Sequence, residues 1–420
     1  MRTADPVVLL LAAKWWGTPA RLAAALIEQG CLVRAVCPPH HALRYVDGVE
    51  AYTLRTGGAR GSLEQAVRCA RPDFILPCDD RCVLLLHELY RRRPEWQALI
   101  ERSLGDPRAF EVLESRARLL STARELGIRV ADARVVDSEA QASESYGHCG
   151  PAPFLKMDGT GGGDGVQMVR SAAEAARAYR SLRRSLGLAR LLKDSLIYRD
   201  PLALWSWSRR DKARIILQHF VAGTPANIMV ACWQGEVVGA VFAEVLASQG
   251  ATGPALVVRL IENAEARAAA VRLAAHLRLS GFFGLDFILE PGSGAAHLIE
   301  MNPRSTQLGH LQVPAGDLAG AWCAAALGRT RRRAGAAIES DTVALFPQAW
   351  RWGAKGALLE RVHHDVPWQQ KRLVEMLIRA PWPERQWRAR VYHLLRRPAL
   401  PQALETRIAA GAVHGQVEQA

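Results

Sequence analysis

Short apolar runs at residues 7–12, 32–36 and 73–77, with a further strand expected at 50–54, alternate with helix-like stretches through the first hundred residues, and this alternation constrains the fold more than any other feature. Apolar runs without a polar face, each separated by an amphipathic segment, predict strands buried on both sides, which is the pattern of a parallel, doubly wound sheet. Thr18 and Pro19 offer an N-cap and a first-turn proline for a helix through Gln29, and Gly30 ends it. The run 50–54 is followed by a helix expected over 62–70. Ligands of such sheets collect at the carboxyl ends of the strands, so residues 14–17 and the Asp79–Asp80 pair fall on the ligand-facing rim. The turn after the first strand reads Ala13-Lys14-Trp15-Trp16-Gly17-Thr18, without the glycine fingerprint of a dinucleotide site, which argues against a nicotinamide cofactor.

The remainder of the 420 residues is long enough for two or three globular units in all. A helix is expected over 116–126, ended by Gly127, followed by a mixed region to about 210. Strands are expected at 215–218, 227–233, 237–243 and 256–261, then a helix over 264–279 and two strands, 284–289 and 296–300, joined by a turn at 291–294.

Two segments carry chemistry. In the first, a short apolar strand ends at Lys156, and five glycines fall within residues 159–165 before a second strand at 166–169. Glycines let successive N–H groups converge on phosphate oxygens, and a lysine adds a point charge. No Lys-Ser/Thr follows the last glycine, so this is not a Walker A loop, and a glycine-rich hairpin accounts equally well for the loop taken alone. Asp164 is at odds with a phosphate role unless it points outward.

The second segment places Asp286 in one apolar strand and Glu300-Met301-Asn302-Pro303-Arg304 at the end of the next. Alternate residues of a strand share a face, so Glu300 and Asn302 point the same way and Asp286 on the paired strand can meet them. Two carboxylates and an amide oxygen are hard ligands suited to Mg²⁺, or to Mn²⁺ in its place. Arg304 is then positioned to grip a phosphate or carboxylate with its fork of donors.

In this order (a basic residue, lysine with glycine loop, hinge strand, Asp strand, Ile-Glu-Met-Asn-Pro-Arg) the chain resembles the ATP-grasp superfamily over roughly residues 1–330. Within it, the segment 281–304 is most similar to the carbamoyl-phosphate synthase large-subunit and carboxylate–amine ligase branches. The resemblance implies an α/β (α+β) chain: a parallel-sheet domain at 1–105, an ATP-grasp small subdomain at 106–213 and a metal and substrate subdomain at 214–330; beyond it the composition shifts, and a helical, basic, Trp-rich extension is expected at 331–420. It implies that Arg116 and Lys156 contact the phosphates of ATP beneath a lid formed by Gly159, Thr160, Gly161, Gly162, Gly163 and Gly165. It further implies that the hinge at Gln218, Phe220 and Val221 offers backbone groups to adenine, that Asp286, Glu300 and Asn302 hold Mg²⁺, and that Arg304 stabilises an acyl phosphate. Family members often place an acid near Gln218 or shortly after Gly223 for the ribose; here those places hold Gln218, Pro225 and Asn227.

The implied reaction joins a small-molecule carboxylate to an amine at the expense of ATP. The alternatives are an ATP-dependent carboxylase or carbamoyl-phosphate-type enzyme acting on a small anion, and a non-catalytic ATP-binding module. One module instead of two, and Ser305-Thr306-Gln307-Leu308 where a second arginine would serve small carbonate-derived intermediates, turn the reading toward a single-module ligase. Substrate contacts are assigned to the rim and its neighbours: Trp15, Trp16, Asp79, Asp80 and the stretch Gln307 to His310.

The formal charge of +13 raises nucleic acid or an anionic membrane as partners. No zinc-finger, basic-zipper or RNP pattern accompanies it, and residues 331–420 hold 15 Lys/Arg against 8 Asp/Glu, about half the excess, so no nucleic-acid role is expected. Five tryptophans share that tail (Trp350, Trp352, Trp368, Trp382 and Trp387), and it is expected to pack back on the body, with a peripheral membrane or protein contact as the alternative. Eight cysteines without a CxxC pair read as buried thiols, no apolar run reaches membrane-spanning length, and the expectation is a cytoplasmic homodimer.

Overall fold

Strands β1 (Val7–Leu11), β2 (Leu32–Cys37), β3 (Glu50–Thr53) and β4 (Phe74–Pro77) form a parallel sheet in the order β3-β2-β1-β4. This is seen in a computed structural model of the chain, which describes residues 5–159, 165–250, 253–313, 316–329, 338, 340–351, 359 and 362–388. Alternation along β1 explains its unbroken apolar run: Val8 and Leu10 face one core and Leu9 and Leu11 another, all fully buried. Helix α1 (Thr18–Glu28) covers the first face with Leu22 and Leu26, while α2 (Ala59–Ala70) and α3 (Asp80–Arg92) cover the second with Leu63 and Leu85. Each such side chain contributes about 1.5–3 kcal/mol when fully buried. One detail differs from expectation: Gly17, not Thr18, caps α1, because Gly17 is already helical and its carbonyl accepts from Ala20 and Arg21.

Strands β5 (Ala133–Val136), β6 (Phe154–Met157), β7 (Val166–Met168) and β8 (Ile215–Gln218) make a second sheet, antiparallel, in the order β5-β8-β6-β7. Because β8 completes it, this sheet extends past the division expected at 213/214. The glycine loop joins β6 to β7, and the Met157 N–H donates to the Gly165 carbonyl where the hairpin opens (3.0 Å). Thr160, Gly161, Gly162, Gly163 and Asp164 lie outside the described residues.

The third sheet holds β9 (Thr224–Trp233), β10 (Glu236–Ser248), β11 (Ala255–Leu260), β12 (Gly281–Leu289) and β13 (Ala296–Asn302), in the order β13-β12-β9-β10-β11. Helix Ala264–Leu277 packs on one face, and the other face shares its core with the N-terminal sheet around the fully buried Trp322. Gly105 brings the N-terminal domain against this sheet: at φ +100° a Cβ there would stand 2.2 Å from the Arg278 carbonyl oxygen. Thr342–Ala344 and His363–His364 extend the sheet beyond β11, and Leu345, Phe346, Leu373 and Leu377 enter the core shared with β1. The described part of the C-terminal extension therefore packs on the body. Trp352 falls outside it, whereas Trp382 stacks on Trp15 with ring centroids 6.1 Å apart.

Candidate active site

Register along β12 and β13 sets the acidic half of the site. Asp286 pairs directly with Glu300, Gly284 with Asn302, and across β12 Asp286 also pairs with Asn227 of β9, so these four side chains share one sheet face. A bulge places Ile299 between the Asp286–Glu300 and Phe287–Leu298 pairs, and the carbonyl it leaves unpaired in the ladder accepts from Gln218 Nε2 (3.2 Å). Gln218 itself is buried, so its amide fixes β8 to β13.

Asp286 accepts from both amides, from Asn302 Nδ2 at 3.0 Å and Asn227 Nδ2 at 3.2 Å. Burial pushes its carboxyl up to about 6, and the Glu300 charge adds to the effect. Two adjacent carboxylates in a buried setting are an unfavourable pair that a divalent cation relieves, and both offer hard oxygen donors. Among the described residues no group of three or more His, Cys, Asp or Glu gathers, so the candidate donors are the two carboxylates, while the Asn302 amide oxygen accepts from Arg304 Nη2. With Mg²⁺, which retains water and phosphate oxygens in its shell, such a set fits.

The basic half faces these acids. Lys156, at the end of β6 and only 6% exposed, lies in the field of Glu300 and Asp286. Burial lowers its pKa, opposed by Glu300 and reinforced by Arg116. Arg116 opens the helix Arg116–Glu125, capped by Ser115, and its Nη2 donates to Glu300 Oε1 at 2.6 Å. Its Nη1 donates to the Met157 carbonyl, and its backbone N–H to Asp158 Oδ1 at 3.3 Å. Asp158, buried beside Arg116, escaped the sequence reading. The signal for it was there: it stands two residues beyond Lys156, which places it on the same side of an extended chain. At the hinge, Phe220 is half exposed with its ring 6.2 Å from that of Phe154, and Val221 is partly exposed beside it. Gly159 and Gly165 flank the loop, both at positive φ.

At the other end of the acidic row, Arg304 is 5% exposed and grips Asp80 with two bonds, Nε to Oδ1 at 3.0 Å and Nη2 to Oδ2 at 2.9 Å. Nη2 also donates to Asn302 Oδ1 (3.0 Å) and Nη1 to the Ser305 carbonyl (3.2 Å). Burial alone would raise the Asp80 carboxyl; the Arg304 guanidinium, with Lys14 and Arg116, outweighs it and holds Asp80 below the ordinary range. Trp16 lies between cations, with Lys14 4.7 Å and Arg304 5.4 Å from its ring centroid.

The other rim residues have different places. Asp79 is 1% exposed and turned inward: it caps α3 through Cys82 N–H (3.1 Å) and accepts from the Ala13 and Lys14 N–H groups at 2.7 and 3.2 Å. Its oxygens tie β4 to the β1–α1 turn, which leaves Asp80 as the rim carboxylate of the cleft. Trp15 donates from Nε1 to the Pro39 carbonyl (3.0 Å), so Trp16 is the tryptophan that meets Arg304. His310 is committed to Asp365 through Nε2 at 2.7 Å, in a buried network with Arg21, and its Nδ1 has no partner among the described residues; the structure does not bring it to the carboxylates. Burial lowers its pKa in spite of Asp365. Gln307 donates to the Ala255 carbonyl (3.3 Å).

Residues 204–307 match the family model of an ATP-grasp domain. No curated protein sequence matches the chain. Among solved structures, N5-carboxyaminoimidazole ribonucleotide synthetase from Thermus thermophilus is similar, with a TM-score of 0.56 and 18% identity over 77% of this chain and 79% of that one. The biotin carboxylase domain dimer of Hydrogenobacter thermophilus 2-oxoglutarate carboxylase, in complex with MgADP, ADP and bicarbonate, gives 0.57 and 18% over 78% and 71%. The Aspergillus clavatus N5-carboxyaminoimidazole synthase, with ADP and 5-aminoimidazole ribonucleotide bound, gives 0.56 and 14% over 77% of each chain. The chain thus has the ATP-grasp fold behind a parallel-sheet domain, as its motifs imply.

Proposed function

We propose that this ATP-grasp chain is an ATP-dependent ligase that activates a carboxylate as an acyl phosphate and passes the acyl group to an amine. The observation that supports it most is the single face on which Asp286, Glu300 and Asn302 stand opposite Lys156 and Arg116, with Arg304 at the far end. Asp286 and Glu300 would hold Mg²⁺, whose bound charge neutralises phosphate oxygens. Lys156 and Arg116 hold the nucleotide phosphates, and the backbone of the hinge at Gln218, Phe220 and Val221 takes the adenine edge. The glycine segment at 159–165, of which only Gly159 and Gly165 are described, would serve as the lid over the phosphates.

In the first half-reaction a carboxylate oxygen attacks the γ-phosphorus and the bond to ADP breaks. The new acyl phosphate would carry its charge beside Arg304, whose guanidinium, forked onto Asp80, offers positive charge and its remaining Nη1 donor. In the second, the amine attacks the acyl carbon, the carbon–oxygen bond to phosphate breaks, and the amine proton leaves to solvent. Positioning and charge neutralisation supply most of the rate in phosphoryl transfer, so no covalent nucleophile of the protein is required.

Asp80, Trp16 and Lys14 line the substrate end. The bicarbonate in the Hydrogenobacter structure supports a second reading, in which the carboxylate is bicarbonate and the product a carboxylated amine. That structure is a dimer, and we propose the same state here. We propose the divisions 1–105, 106–213, 214–330 and 331–420, with the strand Ile215–Gln218 assigned to the sheet of the second unit. No helix among the described residues is long and apolar enough to cross a membrane, and a cytoplasmic location is part of the proposal.

The test is ADP release by the purified chain with Mg-ATP, screened against carboxylic acids, amino acids and bicarbonate, with hydroxylamine present to capture an acyl phosphate as hydroxamate. Hydroxamate with an organic acid supports ligation of that acid. ADP release that depends on bicarbonate supports the second reading, and no stimulation by any acid overturns both.

A further inference from the structure

Between β7 and β8 the chain carries a ten-residue helical segment, an α-helix over Leu188–Leu192 that continues as a π-helix over Lys193–Ile197. None of its residues is buried. Leu188, Leu192 and Leu196 are 59%, 49% and 58% exposed, at i, i+4 and i+8. In an α-helix four residues overshoot one turn, and in the wider π turn they fall short of one, so the change of winding at Lys193 returns Leu196 beneath Leu188. The three leucines form one straight stripe.

A helix this short that buries nothing is not held by its own hydrogen bonds, since isolated helices below about 12–15 residues are marginal in water. Its apolar stripe lacks a counterpart among the described residues, and the surrounding charges indicate what that counterpart is. Residues 183–212 contain 8 Lys/Arg and 3 Asp/Glu, a balance of +5. All three acids are engaged, Asp194 by Arg190 (2.6 Å), Asp200 by Arg81 and Asp211 by Arg210 (3.9 Å), and of the cations Arg209 is paired with Glu88 (3.5 Å). Beside the stripe, Arg388 donates from Nη1 to the Leu196 carbonyl at 3.3 Å, and this brings its neighbour Trp387, 68% exposed, to the same edge. Leucines on one face, arginine and lysine around them and an exposed tryptophan at the border are the chemistry of a segment that lies in the plane of an anionic membrane surface.

We infer that the helix at 188–197, with the Trp387–Arg388 edge, is a reversible docking surface for an anionic phospholipid bilayer. The leucines enter the boundary between headgroups and acyl chains while the cations meet lipid phosphates and carboxylates. The surface lies on side chains that take no part in the candidate active site, so docking and nucleotide binding are separable.

Flotation of the full chain with phosphatidylcholine vesicles containing about 30% phosphatidylserine, at about 0.1 M salt, tests this. The expected result is association with these vesicles, at least about ten-fold weaker with phosphatidylcholine alone or at about 0.5 M salt, because each cation near the surface is screened. The triple change Leu188→Glu, Leu192→Glu and Leu196→Glu is expected to abolish flotation while ATP affinity stays at the wild-type value. Should that variant lose its cooperative melt, Leu192→Gln alone is expected to weaken flotation several-fold. Wild-type protein that ignores the anionic vesicles overturns the inference and assigns the stripe to a protein groove. A folded variant that floats like wild type overturns it too.

Discussion

At the end of the candidate site proposed for the nucleotide, Glu300 and Asp286 meet because two adjacent strands pair in register; at the end proposed for the substrate, Arg304 meets Asp80 across 224 residues of sequence. The first arrangement needs only a hairpin and its alternation of faces. The second needs the N-terminal sheet to be seated on the large sheet, with Gly105 pressed against Arg278, before the guanidinium has its partner. The proposed metal-binding carboxylates are therefore brought together locally, while the Arg304–Asp80 pair proposed for the substrate end depends on how two domains pack. Changes at the first end should act on turnover with the fold intact, and changes at the second should act on substrate handling or on domain seating.

The largest effect is expected at the nucleotide end. Glu300→Ala should lower Mg-ATP turnover by about 10³-fold or more, since it removes a metal ligand together with the partner of Arg116. Circular dichroism should show a retained cooperative melt. Turnover that persists would displace the metal assignment. At the substrate end, Arg304→Lys keeps the charge and loses the planar fork, so kcat should fall about 10²-fold with ATP affinity unchanged by titration calorimetry. A loss of ATP affinity there would erase the division between the two ends.

Acidity sharpens the same contrast. Asp286 titrates near 6 in the folded chain, above its ordinary value of 3.8, so the folded state favours its neutral form. That contribution to stability is fully present below about 3.8 and is lost as pH rises through about 6. Mg²⁺ binds the ionised form, so its affinity should weaken several-fold between pH 7.5 and 5, and the rise in Tm it produces should shrink accordingly. Paired thermal melts with and without Mg²⁺ at the two pH values check the sign. The smallest effect is reserved for Asp79. Asp79→Ala removes a helix cap and two buried acceptor bonds, an expected loss of about 1–2 kcal/mol in denaturant unfolding. ADP release per folded molecule should be unaffected, and a selective loss of activity would return Asp79 to the substrate site.

The legible and illegible parts divide along that line. The strand at Ile215–Gln218 and the helix at Arg116–Glu125 follow from apolar period and stop signals, and β12 and β13 differ from expectation only at their ends. The shared face of Asp286, Glu300 and Asn302 was legible because each lies in a contiguous motif whose period fixes its face. Asp79 and Asp80 were not separable, since neighbours at a strand end differ only in which way the chain turns. The structure turns Asp79 under the β1–α1 loop and Asp80 toward Arg304. Trp15 and Trp16 are divided in the same way, and His310 is drawn away by Asp365, 55 residues further on. The leucine stripe was invisible for another reason: its alignment depends on a π turn, which no i+4 pattern announces.

By itself the sequence determined the parallel sheet, the acidic hairpin and the lysine-glycine segment, because each is set by neighbours within a few residues and by the two periods of backbone geometry. Only the tertiary structure decided that Asp158 joins Arg116, that Asn227 joins Asp286 and that Arg304 bridges to Asp80. Those contacts join elements far apart in the chain. Their partners are chosen when the three sheets bury their apolar faces against common cores, and the polar groups then pair with whatever that packing brings within reach.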